Sequence, residues 1–379
     1  MITASHNPEE DNGVKIIEPN GEMLCQSWEE HASQVINAKL ENSLLCGVQV
    51  AAGKLVRYGK LKILEIIMIN FLGLLTTPQL HYLVFRYNNG TPIVTEQSYY
   101  ENLVDAFVRL NISNAQAHYV PKVHLDCANG VGGQKLRWLT NALEKSGTGL
   151  TIVPVNTELT CLNLKVILII FILANELEKW ASLDGDADRL VYYYLDLSNV
   201  TSIHCFVDQQ FRLLDGDKIA ALFAKYIKEL LDTSKVDLKL GVVQTAYANG
   251  ASTKFIEDVL QVTVICTYTG VKFLHKAAKE LDIGIYFEAN GHGTVSNRAT
   301  FMQTNSRATG DAISDLLLVE SILRIFDYSM VEWDGLYVDM PSRQLKVQVF
   351  AVSTTVRKVL TRSLVIIVLN YQIRLRLFI

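Results

Sequence analysis

Proline is scarce in this sequence, at 7 of 379 residues, and the 6 cysteines (25, 46, 127, 161, 205 and 266) form no Cys-X-X-Cys pair. Few prolines leave domain boundaries weakly marked. Scattered cysteines exclude a disulfide-stapled mini-domain and the common zinc-finger spacings, and they suit a reducing compartment, so a cytoplasmic location is expected. Basic blocks are missing as well: 35 Lys+Arg stand against 39 Asp+Glu, a net charge of −4, which argues against a nucleic-acid partner. Three stretches are unusually apolar, residues 63–75, 166–174 and 364–369, and the first is interrupted by Glu65 and Asn70. All fall short of the roughly 18 consecutive apolar residues that a membrane span needs, so no membrane association is expected. No basic segment leading into an apolar stretch opens the chain, so no signal peptide is expected. Nothing in the composition indicates a protein partner.

What is present is ample core material. The hydrophobic share is 49% and mean hydropathy is +0.19, which excludes global disorder. At roughly 100–200 residues per domain, the length allows two to four domains. Short β-rich runs at residues 123–125, 151–155, 190–195, 241–244, 262–266 and 284–287 alternate with longer helical stretches. The clearest helix spans about 217–231, where Ile219, Leu222, Phe223, Tyr226, Ile227, Leu230 and Leu231 share one face. Asp215 or Asp217 is its expected N-cap, and a cap accounts for both. This alternation predicts a multi-domain α/β fold with mixed, mostly parallel sheets flanked by helices. Junctions are expected at residues 88–92 and 198–202.

Three segments concentrate chemistry. In the first, Ser5 sits among turn-forming residues in the run TASHNPEEDNGVK (3–15), with a strand expected at 14–17. An exposed serine can cap a loop or carry a phosphoryl group, and Lys15 can neutralise an oxyanion beside it. In the second, Asp184, Asp186 and Asp188 alternate in DGDADR (184–189) just before a strand. Hard carboxylate oxygens at that spacing suit Mg²⁺ or Ca²⁺. An EF-hand is excluded, because its sixth and twelfth positions hold Arg189 and Leu195 in place of Gly and Glu. In the third, EANGHG (288–293) follows a strand, the end of an α/β sheet where ligands bind. Glu288 and Asn290 can hydrogen-bond sugar hydroxyls or an amide. Gly291 permits close backbone approach, and His292 can serve as acid, base or phosphate contact. TYTGVK (267–272) is a similar loop whose Lys272 can meet a phosphate.

In this order the segments resemble the α-D-phosphohexomutase family, nearest to its members that act on N-acetylated sugar phosphates. GLLTTPQLHY (73–82), VDQQFRLLDGDK (207–218), VVQTAYANGAST (242–253) and ATGDAISD (308–315) add to the likeness. The resemblance implies that Ser5 bears the transferred phosphoryl group and that Asp184, Asp186 and Asp188, with a phosphoserine oxygen, hold Mg²⁺. It implies that Lys15, Arg189 and His292 contact the phosphoryl group or assist proton transfer, and that Glu288, Asn290, Gly291 and Lys272 bind substrate. The implied reaction interconverts N-acetylglucosamine 6-phosphate and 1-phosphate through a bisphosphate, in UDP-N-acetylglucosamine biosynthesis. The family pattern divides the chain into a partial phosphoserine-loop domain (1–87), a metal-loop domain (88–200), a sugar-recognition domain (201–330) and a remnant or aberrant tail (331–379), with the C-terminal domain largely missing.

Some segments depart from the pattern. Two residues precede Thr3, residues 47–72 and 164–178 match no family loop, Tyr268 stands where a lysine is usual, and no phosphate-gripping loop follows residue 349. A second expectation follows from these departures: a chain truncated at both ends and catalytically impaired, which at most binds sugar phosphate.

Overall fold

The structure is a computed structural model that describes residues 2–3, 13–25, 27–28, 73–90, 94–110, 117–159, 177–196, 211–297, 309–341, 344–346, 365–369 and 372–374. At the N-terminal end β1 (Ile2–Thr3) pairs antiparallel with β2 (Gly13–Val14), setting Thr3 beside Gly13. The strand expected at 14–17 is reduced to β2 plus an isolated bridge between Ile17 and Met23. The first large sheet uses β3 (Lys122–Asp126), β4 (Thr151–Val155), β5 (Trp180–Leu183), β6 (Leu190–Leu195) and β7 (Phe211–Leu214) in the order β4-β3-β5-β6-β7. Its β4-β3-β5 half is parallel, and β5-β6-β7 is an antiparallel meander. The second uses β8 (Leu240–Thr245), β9 (Thr263–Thr267), β10 (Ile283–Phe287) and β11 (Gly293–Asn297) in the order β11-β10-β8-β9. Here β8 pairs parallel with β9 and β10, and β11 closes one edge as a hairpin with β10. β12 (Gln344–Lys346), β13 (Val365–Leu369) and β14 (Gln372–Arg374) form a small antiparallel sheet, and the apolar run at 364–369 falls in β13. The other two apolar runs lie outside the described residues, apart from 73–75 at the end of the first. Among the described residues no helix is long and apolar enough to cross a membrane.

The helices are α1 (Thr77–Asn88), α2 (Glu96–Leu110), α3 (Val131–Ser146), α4 (Gly216–Ser234), α5 (Gly250–Lys254), α6 (Val271–Ala278), α7 (Ala312–Phe326) and α8 (Met330–Asp334). The α/β expectation therefore holds, with mixed sheets flanked by helices. Every residue of β8 is buried, as befits a parallel strand covered on both faces. The periodic face of α4 packs on β10 and β8, and Phe223 meets Phe287 edge to face at 5.6 Å. Helix α7 packs against α2, α4 and β6. It is apolar around nearly its whole circumference, the pattern of a buried helix. It therefore joins the sides of both sheets into one large apolar cluster.

One buried ion pair sits inside this core. Lys179, just before β5, and Glu320 of α7 lie 2.6 Å apart and both are buried. The hydroxyls of Tyr119 and Tyr192 also donate to Glu320, at 2.9 and 3.1 Å. Burial lowers the pKa of Lys179, and Glu320 opposes that drop.

The N-terminus of α4 requires a correction. Asp215 is the N-cap and accepts from the backbone N–H groups of Asp217 and Lys218. Asp217 is not a cap. It is buried, and its Oδ2 accepts from the Asn249 N–H at 2.7 Å. Burial, then the charge of Asp215, pushes its pKa up to about 8.

Two outcomes follow. Glu320→Ala should cost about 3–5 kcal/mol in denaturant-induced unfolding, because it strands a buried ammonium; replacing Lys179 and Glu320 by Met and Leu together with Tyr119→Phe and Tyr192→Phe, which removes the hydroxyls that Glu320 accepts from, should recover most of that. Asp217 binds its proton more tightly folded than unfolded. Its burden on stability is absent below about pH 4, grows as pH rises and is complete above about pH 8. Asp217→Asn should flatten the fall in unfolding free energy across that window, by up to about 1.4 kcal/mol per pH unit.

Candidate active site

The acidic motif occupies the turn between β5 and β6. Ala187 adopts a left-handed conformation, with φ of 58°. Asp184 Oδ1 accepts from the N–H groups of Asp188 and Arg189 at 3.0 and 3.3 Å. This local closure turns three carboxylates to one side, and one oxygen from each of Asp184, Asp186 and Asp188 lies within 4.8 Å of the others. Asp186 and Asp188 are buried. A compact set of hard oxygen donors fits a small divalent cation and no soft metal.

Nitrogen-bearing side chains from the N-terminal segment, the turn itself and the loop after β10 face these carboxylates. Lys15 Nζ lies 2.6 Å from Asp186 Oδ2 and 2.9 Å from Asp188 Oδ2. Arg189 Nε stands 3.8 Å from Asp184 and 3.9 Å from Asp188. His292 Nε2 is 3.9 Å from Asp188. Burial alone would lower the pKa of Lys15, but Asp188 and Asp186 outweigh it and the net shift is upward. Burial, then the charges of Asp188 and Asp186, raises Asp184 well above the usual carboxylate range. His292 is lowered by burial, which Asp188 offsets only in part. With the three carboxylates ionised, Lys15 and Arg189 leave one negative charge in the turn that a bound cation would neutralise.

The second loop joins β10 to β11. Asn290 Oδ1 accepts from the His292 N–H at 3.0 Å, and the Glu288 and His292 main chains close the turn. Gly291 has φ of 84°, and a Cβ there would stand 2.1 Å from the Leu190 carbonyl oxygen. Glycine is what lets this loop lie on the acidic turn, where Leu190 N–H donates to Gly291 O and Arg189 bridges His292. Glu288 is buried, and its Oε1 accepts from Tyr247 Oη at 3.1 Å and the Gly270 N–H at 3.0 Å.

The fold thus assembles Lys15, Asp184, Asp186, Asp188, Arg189 and His292 in one cluster, with Glu288, Asn290 and Gly291 on the adjoining loop. Lys272 follows the Gly270 loop that donates to Glu288. Its Nζ donates to the Leu24 carbonyl at 3.1 Å, and burial lowers its pKa. Ser5 lies outside the described residues, as do 47–72, 164–176 and 347–364.

Four residues with a part in the site escaped the residue-level reading. Thr77 Oγ1 donates to Asp186 Oδ2 at 2.6 Å. Tyr247 orients Glu288. A Cβ at Gly216 would strike the Glu288 carbonyl oxygen at 2.0 Å, and one at Gly310 would lie 2.6 Å from both Asp188 O and His292 Cδ2. Each belongs to a segment quoted above for its family likeness, which was the available signal.

Comparison with known proteins agrees with this geometry. Residues 215–309 match the family described as phosphoacetylglucosamine mutase AMG1, domain III. Residues 1–43 match phosphoglucomutase/phosphomannomutase, alpha/beta/alpha domain I. The chain is 40% identical to phosphoacetylglucosamine mutase of Sus scrofa over 92% of its own length and 73% of the relative's. For the human enzyme the identity is 39%, with the same coverage. Among solved structures, Aspergillus fumigatus N-acetylphosphoglucosamine mutase in complex with GlcNAc-6P and magnesium is 38% identical, with a TM-score of 0.75 over 92% of this chain and 74% of that one. A serine-to-alanine variant of the same enzyme, in complex with glucose 1,6-bisphosphate, superposes with a TM-score of 0.77. The site and these likenesses together show that the chain belongs to the phosphoacetylglucosamine mutase family.

Proposed function

We propose that this chain interconverts N-acetylglucosamine 6-phosphate and N-acetylglucosamine 1-phosphate by passing a phosphoryl group through Ser5 and a sugar bisphosphate. The observation that carries the reading is the convergence of Lys15, from the segment that follows Ser5 in sequence, on the carboxylates of Asp186 and Asp188. Phosphoryl transfer asks a protein for positioning and charge neutralisation more than for covalent chemistry.

Asp184, Asp186 and Asp188 are the residues that would hold Mg²⁺. When bound there, the ion supplies Lewis-acid polarisation of a phosphoryl oxygen. Lys15 and Arg189 oppose the charge that spreads over the equatorial oxygens during transfer. His292, buried and favouring its neutral form, can accept a proton from the attacking hydroxyl and return it to the leaving one. Glu288, its carboxylate fixed by Tyr247 and Gly270, accepts from sugar hydroxyls, and Asn290 on the exposed side of the turn reads the acetamido group. Lys272 meets the phosphate that is not being transferred, exchanging its bond to the Leu24 carbonyl for it.

The division into parts 1–87, 88–200, 201–330 and 331–379 belongs to this reading, with one adjustment. Strand β7 hydrogen-bonds to β6, which favours a second boundary near Leu214. Free thiols at Cys25, Cys127 and Cys266 support a reducing, cytoplasmic location.

Purified protein carrying phosphate on Ser5, incubated with Mg²⁺ and N-acetylglucosamine 6-phosphate, should form the 1-phosphate isomer, followed by phosphorus NMR. Asp186→Ala should lower kcat at least about a hundredfold, since it removes one of the three carboxylates that would hold Mg²⁺. A rate no higher for the parent chain than for Asp186→Ala would overturn the assignment. Asn290→Ser should reduce the ratio of kcat/KM for N-acetylglucosamine 6-phosphate over glucose 6-phosphate by roughly tenfold, as expected for the loss of a polar contact to the acetamido group. An unchanged ratio would remove Asn290 from substrate selection.

A further inference from the structure

Helix α1 reaches the acidic turn through its first residue. Thr77 is buried, with 2% of its surface exposed. Its hydroxyl donates to Asp186 Oδ2 at 2.6 Å, and its backbone N–H donates to the Asp186 carbonyl at 3.0 Å. The same Oγ1 accepts from Lys15 Nζ at 3.3 Å, and Lys15 in turn donates to Asp186 Oδ2 at 2.6 Å. Thr77, Lys15 and Asp186 thus close a three-membered hydrogen-bonded ring in which each donor has an acceptor.

We propose that Thr77 is a positioning residue for the cation site: its hydroxyl sets the rotation of the Asp186 carboxylate and so raises the affinity of the acidic turn for a divalent cation. The proposal rests on the metal reading given above. A carboxylate on a turn can spin about its Cβ–Cγ bond, and a ligand that must be frozen on binding weakens the complex by the entropy lost. Thr77, acting with Lys15 on the same oxygen, removes that freedom before the ion arrives. Groups that orient metal ligands typically contribute 10–100-fold to affinity.

The anchoring of Thr77 is independent of its hydroxyl. Thr76 caps α1, with Gln79 completing a capping box, and Pro78 stands at the start of the helix. The backbone N–H bond to Asp186 survives any side-chain change that keeps the helix. Valine has nearly the shape of threonine, so Thr77→Val isolates the hydroxyl.

The test is calorimetric titration of the full-length chain with MgCl₂, in the parent protein and in Thr77→Val, Thr77→Ser and Asp186→Ala, alongside thermal unfolding of each without metal. The expected result is a Kd for Mg²⁺ raised about 10–100-fold in Thr77→Val, a Kd within about threefold of the parent in Thr77→Ser, and cooperative unfolding of both. Thr77→Val binding Mg²⁺ as tightly as the parent overturns the proposal, and so does Thr77→Ser binding as weakly as Thr77→Val. If Thr77→Val does not unfold cooperatively, Thr77→Ala takes its place. Failure of both to fold would mean that Thr77 holds the helix and not the carboxylate, which also overturns it. A parent chain that binds Mg²⁺ no better than Asp186→Ala removes the metal reading and this proposal together. Tight binding by the parent with undiminished binding by Thr77→Val removes the role of Thr77 alone.

Discussion

Crowding of negative charge at the turn between β5 and β6 is the constraint on which the rest of the molecule depends. Three carboxylates with oxygens within 4.8 Å of one another repel, and burial deepens the cost. The fold answers by bringing counter-charge from two directions and an imidazole from a third. Lys15 comes from the N-terminal segment, Arg189 from the turn itself and the His292 ring from the loop between β10 and β11. No local run of sequence could supply all of these. The arrangement therefore needs both large sheets in place, and a long-range electrostatic demand couples the site to the whole fold.

The frame beneath the site is correspondingly stiff. Helix α7 lies against both sheets, and its first backbone N–H donates to the carbonyl of Ala187, inside the acidic turn. Farther along the same helix, Glu320 collects Lys179 and two tyrosine hydroxyls in the core. A shift of α7 would break a desolvated ion pair at one end and move the turn at the other. The strained backbone of Ala187 is tolerated because its carbonyl and amide are both held, the latter by Asp184 O.

Much of this was readable from the chain, and the reasons for the gaps are physical. All six strand segments identified by their apolar or β-branched runs are strands, because that signal is local; it holds for β8 and β10, buried throughout, and also for the partly covered edge strands β4 and β9. The helix at 217–231 was found because it has one apolar face, and it extends a residue or more beyond each expected end. Helix α7 offers no such contrast, being apolar nearly all round, and β5, β7 and β11 are too short and mixed to stand out. At the site, carboxylates at alternate positions and a glycine-flanked histidine announce themselves by type and spacing. Thr77 and Gly216 do not. A threonine before a proline reads as a helix start, and a glycine between two aspartates reads as a cap. Their importance arises only from what the tertiary structure lays against them. Asp217 failed for the same reason: its neighbour fills the capping role, and burial against Asn249 is invisible in one dimension.

Gly216, Gly291 and Leu190 form a seam in which main chain lies directly on main chain, with no side chain between to absorb misfit. Such a seam behaves as a mould rather than a joint. A recognition loop transplanted from a relative with another sugar preference would have to bring its own geometry to within a few tenths of an ångström, or push the cation-binding turn out of register. Diversification of substrate choice in this architecture should therefore proceed by exchanging outward side chains on an invariant backbone trace, and insertions in that loop should be rare among its functional descendants.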